Sequence, residues 1–217
     1  MKTKNLLTTM ALALTLLLAG KVGWGQILTF DFASLEGNEL SANSNFNDPN
    51  LNLSTITRGS GLTAATNSGR FNATNWALTS IDNAVSGNNF MEFTITPKDG
   101  NQFSVTSILI QLQRSKTGPS AIALRSSVDG YTSNLDQIYD IVDNTNTQSF
   151  TFNFTQSNTI NPVTYRIYMY AEATSGSGGP GDGTGDDIVV NGTVTFSPLI
   201  INSESSLTGF SYLENSG

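Results

Sequence analysis

Met91, Phe93 and Ile95 alternate with Glu92, Thr94 and Thr96, and Phe150, Phe152 and Phe154 alternate with Thr151 and Asn153. A period of two puts each apolar set on one face of an extended strand and the polar set on the other. Runs rich in β-branched and aromatic residues recur at 27–33, 51–57, 71–78, 89–97, 102–114, 121–127, 148–155, 163–173 and 187–197. Clusters of Asn, Asp, Gly and Ser separate them, and none sustains a 3.6-residue period, so strands are predicted throughout and no helix. Residues 138–142 read equally as one more strand or as a turn of helix.

Only 12% of the residues are charged, and the polar character comes instead from Asn, Thr, Ser and the twenty glycines. Such side chains compete with helical hydrogen bonds and favour turns. About nine strands with one wet face each imply an all-β fold, a two-sheet antiparallel β-sandwich. Jelly-roll topology is expected, because it is a common way for eight or more strands to manage their edges. The run 174–185, Thr-Ser-Gly-Ser-Gly-Gly-Pro-Gly-Asp-Gly-Thr-Gly, is predicted to be a long hairpin loop without regular structure.

The chain has no cysteine and no histidine, which excludes a Ser-His-Asp triad, a thiol nucleophile, a disulfide and a conventional zinc site. A net charge of −7 and a pI near 4.4 argue against nucleic acid as a partner. Lys2 and Lys4 precede an apolar run of about ten residues, Met10 to Ala19, too short for the ~20 that span a bilayer. Gly23 and Gly25 then form a small-x-small cleavage pattern, so residues 1–25 read as a signal peptide cut before Gln26. The expected mature chain is secreted or held at the cell surface without membrane insertion. Losing Lys2, Lys4 and Lys21 takes its net charge from −7 to about −10. Residues 26–197 are expected to form one domain. Residues 198–217 read as a linker and the opening strand of a truncated following module, with Leu207 to Leu213 as that strand.

Several blocks in order carry a resemblance: Phe30-Asp-Phe32, Arg58-Gly-Ser-Gly-Leu62, the stretch from Arg70 to Trp76, Phe93 to Gly100, Leu112 to Pro119, and Leu124 to Tyr131. Together they resemble an uncharacterised N-terminal β-sandwich module of secreted, multidomain Bacteroidetes-type surface proteins associated with type IX (Por) secretion. Gly185 to Gly192 is similar to the last strand of carbohydrate-binding and adhesion jelly rolls, and Leu207 to Tyr212 to the start of an Ig-like module. The resemblance implies downstream domains of the same polypeptide as partners. It also implies a structural Ca²⁺ joining the first strand to the last, for which Asp31, Glu36, Asn38, Asp182, Asp186 and Asp187 offer oxygen ligands.

Strand alternation supplies a candidate ligand face. Arg166, Tyr168 and Tyr170 share one side of their strand, and Gln111 and Gln113 one side of theirs. On a single concave sheet the tyrosines would stack on sugar rings while Gln111, Gln113, Arg114 and Arg166 held hydroxyls. Trp76 reads as core. Arg114 and Arg125 are expected to form salt bridges with Asp129 or Asp99 rather than an anion site. The expected role is an exported, non-enzymatic module for adhesion or for recognition of a polysaccharide or cell-surface glycan. A spacer that presents a downstream catalytic domain is the alternative, and a carboxylate-dependent hydrolase comes third.

Overall fold

A computed structural model describes residues 25–181 and 184–197. The predicted signal peptide apart from Gly25, Asp182, and the predicted linker with its following strand lie outside the described residues. Along the chain come β1 (Gly25–Phe30), β2 (Ser41–Asn43), β3 (Phe46–Asn47), β4 (Thr55–Arg58), β5 (Thr63–Ala64), β6 (Ala73–Thr74), β7 (Ala77–Leu78) and β8 (Phe90–Ile95). There follow β9 (Asn101–Arg114), β10 (Pro119–Ser126), β11 (Tyr139–Asp140), β12 (Gln148–Thr159), β13 (Val163–Ala171), β14 (Gly178–Pro180) and β15 (Ile188–Phe196).

They form two sheets, of eight and seven strands, antiparallel except where β7 lies parallel to β13. The centre of the first sheet runs β1-β15-β9-β12, and that of the second β11-β10-β13-β8. From β8 onward the chain passes repeatedly between the sheets, and β15 returns beside β1, which is the jelly-roll path. Alternate residues of both sheets meet in one core, where the rings of Phe30 and Phe93 pack edge-on at 5.4 Å. Trp76 lies in that core and donates its Nε1–H to the Ala73 carbonyl at 3.0 Å, as a buried indole requires.

Three sequence expectations need correction. A helix is present, Ile81–Ser86, begun by the Ser80 side chain, which accepts from the Asn83 N–H at 3.1 Å. One and a half turns are too few to show a helical period. Tertiary burial stabilises it instead: Ile81 and Ala84 pack on Phe90, Ala123 and Tyr168, on the outer face of the second sheet.

The glycine run also holds a strand. Gly178, Gly179 and Pro180 are buried as β14, paired with β9 from Leu112 to Arg114 and with β6 at Ala73. Its order is carried by backbone bonds, such as Phe71 N–H to the Pro180 carbonyl at 2.8 Å, which leave no hydrophobic pattern to read. Residues 138–142 resolve in favour of a short strand, β11, which pairs with β10.

The arginines are structural, but with other partners than expected. Arg114 is buried and pairs with Glu172 at 2.7 Å and Asp143 at 3.8 Å, while Arg125 lies 3.5 Å from Asp82. Neither pairs with Asp99 or Asp129, because the chain after β11, the end of β13 and the helix carry the nearer acids.

Candidate functional site

The five residues of the expected ligand face do not share a surface. Ile167 and Met169 of β13 point into the core, so Arg166, Tyr168 and Tyr170 occupy the outer face of the second sheet. Ile110 and Leu112 of β9 also point inward, which puts Gln111 and Gln113 on the outer face of the first sheet. Stacked sheets lie about 10 Å apart, so the sandwich separates the two groups. Alternation gave each face correctly but could not say which strands share a sheet.

Packing occupies most of these side chains. Tyr168 is only 1% exposed, beneath the helix and 5.7 Å from the Phe90 ring. The Arg166 guanidinium is held between Phe90 at 3.9 Å and Tyr131 at 3.8 Å and donates to Glu92 at 2.8 Å. Gln111 donates to the Asp186 carbonyl at 3.1 Å, and Gln113 to Thr147 at 2.8 Å. Tyr170 opens onto a cleft.

That cleft is a trough of about 380 Å³ on the outer face of the second sheet. Thr79, Ser80 and Asp82 line one side, Asn134 and Ile138 the other, with Arg125 and Tyr170 between them. Opposite Tyr170 and Tyr168 on β10 stand the buried Ala121 and Ala123. Arg125 is fixed by donating to Asn134 Oδ1 at 2.8 Å and the Tyr131 carbonyl at 3.0 Å, while Asp82 Oδ1 is 3.5 Å from its Nη2. Thr79 and Tyr131 hold left-handed backbone at φ 76° and 63°, which costs about 1–3 kcal/mol each. The Asn83 amide, donating to Thr79 Oγ1 at 2.8 Å, helps hold the first of them. An aromatic ring beside a guanidinium, an amide, hydroxyls and one carboxylate suits a polar ring with hydroxyls.

A second cleft, of about 450 Å³, opens at one end of the sandwich. The pairing of β12 with β9 slips between Asn153 and Gln156 and again between Gln156 and Thr159, which bends β12 away from the core. Leu135, Phe154 and Val163 supply apolar walls, and Ser126, Thr155, Ser157 and Asn158 neutral polar groups. The Tyr165 hydroxyl beneath it donates to Gln156, and burial pushes its pKa up, so it stays protonated. Asp129 has its pKa lowered, because hydrogen bonds from Thr132 and Ser133 outweigh desolvation that would raise it. Sequence reading passed over this cleft. Its signal was the loss of alternation after Phe154, where Thr-Gln-Ser-Asn-Thr replaces the aromatic period.

Of the acidic residues proposed for Ca²⁺, Asp182 lies outside the described residues, and Asp31, Asp186 and Asp187 flank the paired ends of β1 and β15. Asp187 is buried, and its Oδ2 accepts the Phe32 N–H at 2.7 Å. Asp186 accepts from Asn45 at 2.7 Å, Asp31 from the Ala33 N–H at 2.9 Å, and Glu36 is exposed. Among the described residues no three Asp or Glu gather in a group that could hold a metal ion. The first strand and the last are joined by their backbone ladder from Gly25 to Phe30, and the Asp187 hydrogen bond extends that link to Phe32. Asp187→Ala leaves the buried Phe32 N–H without that acceptor and should cost about 2–3 kcal/mol, read as a fall of roughly 4–10 °C in Tm by calorimetry. Asp187→Asn, which keeps an acceptor oxygen, should cost less.

No helix among the described residues is long and apolar enough to cross a membrane. No protein-family profile matches the chain, and no curated protein matches it.

Proposed function

We propose that residues 26–197 are an exported, non-enzymatic module that recognises a neutral glycan at the cell surface through the trough around Tyr170. The observation that carries this reading is the half-buried Tyr170 ring in one trough with Arg125, Asn134 and Asp82. A sugar ring can stack on the tyrosine while its hydroxyls accept from Arg125 and Asn134 and donate to Asp82. Arg125 is held by two protein groups at 3.0 Å or less before any ligand arrives, so little ordering accompanies binding. Hydrolysis is the weaker reading. A glycosidase of the ordinary kind needs a pair of carboxylates flanking the bond, and each cleft is lined by one, Asp82 or Asp129.

The test is retention of the protein on a panel of insoluble and immobilised polysaccharides. Retention on a neutral polymer should weaken about tenfold in Tyr170→Ala, the equivalent of about 1.4 kcal/mol. Asp82, exposed on the helix, gives a second variant that leaves the core intact, and Asp82→Ala should weaken retention on the same polymer. Failure of the wild-type chain to bind any polymer would favour the spacer reading.

A further inference from the structure

The two clefts share a wall. Arg125 and Ser126 are consecutive residues at the end of β10, yet Arg125 lines the trough and Ser126 the end cleft. The same split recurs at the far end of the following loop, where Asn134 faces the trough and Leu135 the end cleft. The Leu135 N–H donates to the Leu124 carbonyl at 2.8 Å, so the loop lies against β10 in strand-like register and alternate side chains point to opposite sides. Between these points the loop is tied down by Asp129, which accepts from the N–H groups of Thr132 at 3.2 Å and Ser133 at 2.9 Å. A single fixed layer of backbone therefore separates the two spaces.

The end cleft is chemically equipped for the same kind of ligand. No Lys or Arg lines it, and its one acid, Asp129, is already hydrogen-bonded. Among the described residues the side chains of Ser126, Thr155, Ser157 and Asn158 have no hydrogen-bond partner, and they surround an apolar floor containing the Phe154 ring. Neutral donors and acceptors around a partly exposed ring match the hydroxyls and the apolar face of an uncharged sugar.

From this we infer that the end cleft is a second subsite for the same ligand, so that the module binds an internal stretch of a neutral polysaccharide crossing the 127–135 wall. The inference rests on the glycan reading of the trough. Two linked subsites bind a chain that spans them far more tightly than a fragment that reaches one, because the second contact is intramolecular. A fragment confined to the trough gains nothing from the end cleft.

The experiment is NMR titration of the ¹⁵N-labelled protein with the dimers and hexamers of β-1,4-glucan, β-1,3-glucan and chitin. The hexamer of the recognised polymer should bind about tenfold or more tighter than its dimer and shift amides around both Tyr170 and Asn158. The double variant Ser157→Ala/Asn158→Ala, at two exposed positions, should weaken the hexamer and leave the dimer unchanged. Shifts confined to the trough with no length dependence would overturn the second subsite while leaving the trough reading intact. Shifts at the end cleft alone, or at neither cleft with any probe, would overturn both.

Discussion

Gly179→Ala should lower the melting temperature of the domain by roughly 10 °C, reflecting a cost of about 3–4 kcal/mol. A Cβ at this position would stand 2.2 Å from the Phe71 carbonyl oxygen and 3.1 Å from the Asn72 Cα. Both are backbone atoms of the neighbouring chain, so relief requires β14 to move off the segment before β6. That movement breaks the bonds that seat the glycine run, including Gly181 N–H to the Gln111 carbonyl at 2.9 Å. Gly176→Ala should behave alike, with its Cβ 1.9 Å from the Thr117 carbonyl oxygen. Gly185 provides the contrast within the same run. Its φ of +66° strains any replacement, but nothing lies within 4 Å of the added carbon, so Gly185→Ala should cost only about 1 kcal/mol. Equal melting temperatures for Gly179→Ala and Gly185→Ala would mean that the run is a loose loop after all.

The second large effect is expected at Arg114. Its side chain is 1% exposed, and it donates to the carbonyls of Ser115 at 3.0 Å and Lys116 and to Glu172 at 2.7 Å. A weaker contact at 3.4 Å reaches the Ile141 carbonyl, so one guanidinium gathers the end of β9, the chain after β11 and the end of β13. Arg114→Met keeps much of the volume but strips these acceptors of their donor, which should cost about 3–5 kcal/mol. Arg114→Lys should recover little, because a single ammonium cannot reproduce a planar fork with five N–H groups. Glu172 is about half exposed, and water can replace its partner, so Glu172→Gln should cost under about 1 kcal/mol. Chemical denaturation of the three variants measures the difference. A loss at Glu172→Gln as large as that at Arg114→Met would show that the ion pair, not the carbonyl cluster, carries the stability.

These two positions also show where sequence reading stopped. Arg114 was a candidate for holding sugar hydroxyls because it follows Gln111 and Gln113 on a strand. Its parity with Ile110 and Leu112 puts it on the opposite, inward face, where Glu172, Asp143 and backbone carbonyls receive the guanidinium. Gln113 and Tyr170 also looked like one face. Each alternates correctly within its own strand, but a strand does not record which sheet it joins, and β9 and β13 join opposite ones. The helix at Ile81–Ser86 is capped by Ser80 and ends at Gly87, but its six residues carry too little periodic pattern to stand out among the strands around them.

The sequence by itself determined the fold class, because alternation along β8, β9, β12 and β13 leaves one apolar face per strand and a sandwich buries such faces in pairs. It also pointed to Trp76 as interior, and it contains no histidine or cysteine. Only the tertiary structure decided what is open to a ligand. Tyr168 and Tyr170 stand two residues apart on the same face, and one is sealed by the helix while the other lines a trough. The end cleft exists because β12 slips register against β9, and Asp187 joins the first strand to the last because pairing brings it to Phe32 across 155 residues. Local period fixes which way a side chain points. Whether that direction ends in water, in packing or in a cleft depends on what distant segments the chain folds against it.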